Sequence, residues 1–238
     1  MKAFLYSVGL QWKLDLRSKS LLVACYIVPL VFFLFMGGIF TSIMPEMKGS
    51  LIQSMTVMGV SMGAFVGLPP SLLETYAGEV KKIYRANGVP FGMGLAAMFL
   101  SAWGHLMILC TMILFLSPIL FDAALPASLP QFFLSLSIYL ISSLSVGSVL
   151  GLTVKNQARM TIIAQLVFLP SIMLSGSMFP VELLPKAFAL LGNFFPGSWG
   201  YRLMCNQGLR LENLWCLILI FLVMAAFCGI LLHKQKLR

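Results

Sequence analysis

QLVFLPSIMLSGSMFPVELLPKAFALLGNFFPGSWGYR (Gln165–Arg202) begins as a membrane span and does not finish as one. Pro180, Pro185 and Pro196, with Gly176, Gly192, Gly197 and Gly200, cut its apolar run into pieces. Between Lys186 and Arg202 lie about fifteen uncharged residues, whereas a helix needs about twenty to cross a bilayer. Backbone broken at membrane depth must be surrounded by protein or by a wet cavity, because lipid offers its N–H and C=O groups no partner. Residues 180–202 therefore read as a re-entrant element on a membrane protein, with Ser175 and Ser177 at hand to bond freed backbone groups.

The rest of the chain agrees. Hydrophobic residues make up 60% and charged residues 10% of 238 residues, with a mean hydropathy of +0.97. Such a balance excludes a soluble domain of this size. Long unbroken apolar runs exclude a membrane β-barrel, whose strands alternate over about ten residues. The expected fold is an all-α integral membrane protein, one transmembrane domain over 1–238 with room for about six helical spans. These fall at 21–43, 51–68, 91–117, 131–153, 160–179 and 214–232.

Residues 1–20 carry Phe4, Leu5, Val8, Trp12 and Leu16 on one helical face and Lys2, Lys13 and Arg17 opposite, the pattern of an interfacial amphipathic helix. Asp15 and Lys19 intrude on the apolar side, where they can pair at i,i+4. The run after Lys19 is too long for a signal-peptide core and has no cleavage site behind it, so it stays as a span. A second amphipathic helix is expected at 71–86. Ser71 and Glu74 form a capping box, Leu72, Leu73, Tyr76, Val80, Ile83 and Tyr84 recur at three and four, and Asn87-Gly88 stops it. Its charges, Glu74, Glu79, Lys81, Lys82 and Arg85, face water.

Small residues recur every four positions in two spans: Gly59, Gly63 and Gly67 in the second, and Ser143, Gly147 and Gly151 in the fourth. Such rows let helices approach closely. Met55, Met58 and Met62 make a neighbouring stripe, which reads either as internal packing or as a subunit interface or adaptable substrate wall.

Charge placement gives the orientation. With an even number of spans both termini share a side, and that side holds Lys2, Lys13, Arg17, Lys19, Lys81, Lys82, Arg85, Lys155, Arg159, Lys234, Lys236 and Arg238, twelve of the sixteen basic residues. The positive-inside rule puts this side in the cytoplasm and the broken element outside. The net charge of +9 then needs no nucleic acid to explain it.

Reactive chemistry is sparse. The sequence has no G-x-x-x-x-G-K-[ST] phosphate loop, no H-E-x-x-H and no G-x-S-x-G, so no catalytic residue and no metal site is expected. His105 sits within the third span, and no other span centre carries a carboxylate for it to exchange protons with; a neutral, hydrogen-bonded histidine is expected. The five cysteines show no metal spacing; Cys205 and Cys216 are the pair that could meet, and inert thiols are expected. Any work must come from outside the chain.

Four features taken together resemble the membrane subunit of a type-2 ATP-binding-cassette (ABC) exporter. They are the N-terminal amphipathic helix, the segment E-x-x-x-x-E-x-K-K-x-x-R-A-N-G-V-P from Glu74 to Pro90, L-S-G-S-M-F-P-V-E-L-L-P at Leu174–Pro185, and F-F-P-G-S-W-G-Y ending at Tyr201. The resemblance implies a permease, not an enzyme, in the cytoplasmic membrane with both termini inside. It implies two separate ATPase subunits that hold ATP and Mg, with no cofactor on this chain, and a second permease as homodimer or paralogous partner. It makes Glu74, Glu79, Lys81, Lys82 and Arg85 the coupling surface. It makes the second and fifth spans and the broken element the route and gate, through Met55, Met58, Met62, Phe168, Met173, Ser175, Gly176, Met178, Phe179 and Pro180. A hydrophobic or amphipathic cargo (drug, antibiotic or antimicrobial peptide) suits these residues; lipid or polysaccharide cargo, or an ATPase-independent channel or carrier, are the alternatives.

Overall fold

The structure, a computed structural model, describes residues 2–78, 84, 86, 88, 90–206 and 210–237, with the side chains at 20, 182 and 235–237 set aside. Every regular element among these residues is helical. Helix α1 (Lys2–Arg17) precedes a first rod made of α2 (Lys19–Leu22), a wide π turn (Val23–Ile27) and α3 (Val28–Ile43). After a short 3-10 turn (Pro45–Gly49) comes a second rod of the same design: α4 (Leu51–Met62), a π turn (Gly63–Gly67) and α5 (Leu68–Ala77). Then follow α6 (Phe91–Phe121), α7 (Leu129–Thr153), α8 (Gln157–Met173), a 3-10 turn (Val181–Leu183), α9 (Lys186–Gly192), α10 (Pro196–Cys205) and α11 (Leu211–Leu237).

The two π turns share one cause. Proline lacks the N–H of the helical ladder and its ring strikes the carbonyl four residues back, at a cost of about 3 kcal/mol in a regular helix. Pro29 follows the first wide turn, and Pro69 with Pro70 follows the second. In each, the N–H just before the proline reaches five residues back, Val28 to Val23 O and Leu68 to Gly63 O. The extra residue makes room for the ring, and both rods continue without a break.

This corrects the expected end of the second span. The helix does not stop at 68 and restart at a cap on Ser71; it runs from Leu51 to Ala77. Ser71 lies inside it, its carbonyl accepting from Thr75 Oγ1 at 3.0 Å, so Ser71 and Glu74 form no capping box. Capping does work where an orphan N–H exists. Ser128 Oγ accepts from Gln131 N at 3.4 Å, and Asn156 Oδ1 accepts from Ala158 N and Arg159 N at 2.9 and 3.2 Å. Asp122 ends α6 in the left-handed region (φ 53°), and its carboxylate meets Lys48 at 3.5 Å.

Among the described residues, five helices are long and apolar enough to cross a bilayer: Val23–Ile43, Leu51–Ala77, Phe91–Phe121, Leu129–Thr153 and Leu211–Lys234. Helix α8 has 17 residues, about 26 Å at 1.5 Å per residue, just short of a hydrocarbon core of about 30 Å. The second rod is the hub. Of its most apolar stretch 94% is buried, against 28% for Val23–Ile43 and 11% for Leu211–Lys234.

Close approach around the hub rests on glycine. A Cβ on Gly147 would strike the carbonyl of Ala64, and one on Gly151 would lie 2.7 Å from Leu72 Cβ. Leu109 lies against Gly59, Leu106 against Gly63, and Cys25 Sγ would stand 2.9 Å from a Cβ on Gly67. Both small-residue rows thus serve packing inside one chain, where van der Waals contact replaces the hydrophobic drive that lipid cannot supply. The five cysteines are free thiols; Cys205 and Cys216 do not pair.

Candidate functional site

The broken element folds as a knot of backbone-bonded turns between α8 and α10. Helix α8 ends at Met173, where Leu174 N–H returns to Pro170 O at 2.9 Å. Ser175 Oγ donates to Ile172 O at 2.7 Å, lies 2.7 Å from Ser177 Oγ and accepts from Ser177 N at 3.1 Å. Both serines are buried, so each bond replaces one that water would otherwise make. Gly176 has φ +81°, and a Cβ there would approach Val181 Cγ2 at 2.7 Å; only glycine suits the turn.

The returning half is pinned to the first. Ser198 Oγ donates to Gly192 O at 2.7 Å and reaches Leu174 O at 3.3 Å. Trp199 Nε1 donates to Asn193 O at 2.8 Å, and the Arg202 guanidinium lies 5.1 Å over its ring. A Cβ on Gly197 would touch Ser171 O at 3.0 Å, and Gly200 abuts the ring of Tyr139. Tyr139 in turn ties α7 to the hub, its hydroxyl 2.8 Å from Ser61 Oγ and 3.1 Å from Val57 O. Between the element and the turn after α3 lies a cavity of about 390 Å³ lined by Met47, Gly176, Pro180, Val181, Tyr201 and Arg202.

At the other end of the hub, α5 ends at Ala77 with Glu74 exposed. Glu79, Lys81, Lys82 and Arg85 lie outside the described residues.

A family model described as ABC-2 type transporter matches residues 2–207, from the first turn of α1 to the end of α10. The chain belongs to the ABC-2 type transporter family. No curated protein matches it. It is a multi-pass membrane protein, and the ABC-2 membrane domain it matches is a transport permease domain without an ATPase domain.

In this ABC-2 permease the predicted route residues separate into two groups. Met55, Met58 and Met62 are 1, 2 and 9% exposed and pack in the core of this chain. Phe168, Ser175, Gly176 and Met178 are buried as well. Met173 and Phe179 are exposed and Pro180 is half-buried. Met173 continues an open apolar row along α8 through Ile162, Leu166 and Leu169.

One cluster was not foreseen. Asp15 does not turn to Lys19; it is buried against α6, 6% exposed. Its Oδ1 accepts from Gln11 Nε2 at 2.7 Å and its Oδ2 from Ser101 Oγ at 2.5 Å. His105 Nε2 stands 4.0 Å from Oδ2. The other ring nitrogen, Nδ1, lies 2.7 Å from Tyr26 OH, and Trp12 stacks flat on the imidazole, centroids 4.0 Å apart and planes 11° apart. His105 therefore does have a carboxylate, supplied by α1 and not by another span. A Cβ on Gly104 would meet Trp12 Cζ3 at 2.5 Å, so the Gly-His pair is a notch cut for the indole.

Proposed function

We propose that this chain is the permease of an ATP-driven export complex in the cytoplasmic membrane. The observation that carries the reading is the hub: one unbroken, buried helix runs from the foot of the coupling segment to the broken element, which packs on it through α10. A push on the exposed Glu74 end has nowhere to dissipate in a rod enclosed on all sides, and so reaches the gate.

On this reading two separate ATPase subunits bind ATP and Mg and press on 71–86, with Glu79, Lys81, Lys82 and Arg85 as the contact. Helix α8 counts as a crossing although it is short, its missing length made up by the turns after Met173, and both termini are cytoplasmic. A second permease, identical or paralogous, faces the open row Ile162, Leu166, Leu169 and Met173. The route runs between the two copies, with Phe168, Met173, Phe179 and Pro180 nearest to it, Met55, Met58 and Met62 behind them, and the turn at Ser175, Gly176 and Met178 as the outer gate. An apolar row of this kind favours a hydrophobic or amphipathic cargo. Purifying the tagged chain from its native membrane tests the assembly: an ATPase should co-purify and be required for vesicle transport. Transport by the chain alone would instead support a carrier.

A further inference from the structure

We propose that a cavity between α1, α6, α7 and α11 holds one acyl chain of a resident anionic phospholipid, taken from the leaflet at the end of the bundle where Lys2 and Lys234 stand. The cavity measures about 540 Å³. Phe4 of α1, Leu95 and Phe99 of α6, and Phe221, Ala225 and Leu232 of α11 are among its walls. Helix α7 contributes Ser145 and Ser148, but their hydroxyls already donate to Ser142 O at 2.6 Å and to Leu144 O at 2.8 Å. Neither hydroxyl therefore asks for water, and an apolar space of this kind stays dry. In a membrane, hydrocarbon is what remains to fill it.

Two glycines open the space. Gly92 and Gly229 line it, and a Cβ on either would meet nothing within 4 Å. At Gly59, Gly63 and Gly147 a neighbouring helix fills the room that the missing side chain leaves; at Gly92 and Gly229 no described residue does. Helix α11 is tied to α7 elsewhere, where Ser142 Oγ donates to Leu217 O at 2.9 Å. Its lining stretch, from Phe221 to Leu232, rises about 17 Å at 1.5 Å per residue. That is close to the depth of one leaflet in a hydrocarbon core of about 30 Å. Spread over this length, the volume leaves a mean cross-section of about 30 Å², which passes a polymethylene chain but not a helix about 10 Å across. The mouth is basic. Lys2 lies two residues before Phe4 and Lys234 two residues after Leu232, and both are exposed. Neither makes an ion pair among the described residues. A chain that enters with its methyl end toward the middle of the membrane leaves its headgroup beside these two ammonium groups, which favour a net negative one.

Photolabelling tests both halves of the site. The full chain in phosphatidylcholine nanodiscs receives a trace of phospholipid with a diazirine in one acyl chain, and the labelled residues are located by mass spectrometry. A probe with a phosphatidylglycerol headgroup should label Phe99 and Ala225 several-fold more strongly than one with the same chains and a phosphatidylcholine headgroup, about fivefold for each lysine engaged. At Leu222 and Phe227, both more than half exposed on the outside of α11, the two probes should label alike. G92L with G229L fills the cavity and should abolish the label at Phe99 and Ala225 while sparing Leu222 and Phe227. K2Q with K234Q should keep the label and lose the headgroup preference. Equal labelling of Phe99 and Ala225 by the two probes overturns the proposal, as does a loss in the filled variant that is the same at all four positions. No label at Phe99 and Ala225 from either probe, the result if a partner protein covers the cavity, overturns it too. If the filled variant aggregates, the comparison of probes on the unsubstituted chain decides alone. None of these measurements needs an ATPase, so their failure is separable from failure of the permease reading.

Discussion

Gly147 of α7 stands so close to the carbonyl oxygen of Ala64, in the wide turn of the hub, that its hydrogen cannot be replaced by a carbon. The contact seats α7 on the most buried helix of the protein. Gly147→Val should therefore lower the melting temperature in detergent, by the equivalent of about 1–3 kcal/mol or more from overpacking. Gly229→Ala, where nothing lies within 4 Å, should leave it unchanged. Equal melting of the two variants would sink the close-packing account.

Tyr139 gives a second test of the same seam. Its hydroxyl is buried between Ser61 Oγ and Val57 O, so Tyr139→Phe leaves polar partners dry, at a cost of about 1–3 kcal/mol. Removing Ser61's hydroxyl as well should recover part of that loss. A double variant that melts no higher than Tyr139→Phe alone would show that the hydroxyl pair is not what holds the seam.

The turn at Gly176 combines a positive φ with a crowded Cβ position. A left-handed residue other than glycine costs about 1–2 kcal/mol, and here Val181 Cγ2 adds a clash. Gly176→Ala is expected to destabilise the element and, on the proposed reading, to reduce transport, and Val181→Ala introduced with it should restore part of both. No rescue would mean that the backbone conformation alone sets the requirement.

Pinning the gate should separate work from transport. In a background without the native cysteines, M178C and W199C joined by a short cross-linker tie the first turn of the element to α10. On the proposed reading, transport should stop while ATP hydrolysis by the proposed partner continues. Unimpaired export with the link in place removes the gate assignment.

Charge reversal at Glu79 and Arg85, which lie outside the described residues, tests the proposed coupling role. Insertion and assembly should survive, and hydrolysis should continue with export lost. Full export from the doubly reversed variant would show that the segment does not couple.

Much of this was readable in the sequence because the decisive residues act locally. Pro180, Pro185 and Gly176 break the helix whatever surrounds them, and Ser175 bonds a carbonyl three residues away. The errors arose where the answer depended on distant residues. The second span runs past its expected end at 68 because a wide turn accommodates Pro69-Pro70, and that turn has no sequence signature beyond Gly63 and Gly67. Asp15 was matched with Lys19 because that pairing is visible at i,i+4, whereas its partners Ser101 and His105 come from another helix. The methionine stripe was ambiguous for a related reason: apolar periodicity marks a face, and only the position of α6 beside Gly59 and Gly63 shows that the face turns inward.

The wide turn in the hub has one more effect, on phase. An inserted residue offsets everything after it by one position, about 100° around a helix of 3.6 residues per turn. Gly59, Gly63 and Gly67 are evenly spaced in the sequence yet do not form one straight seam: the first two receive Leu109 and Leu106 of α6, while Gly67 meets Cys25 in the opposing turn of the first rod. The hub thus changes rotational register along one continuous axis, and deleting a single residue from 63–67 would swing the Leu68–Ala77 half to a new bearing while leaving the Leu51–Met62 half where it was.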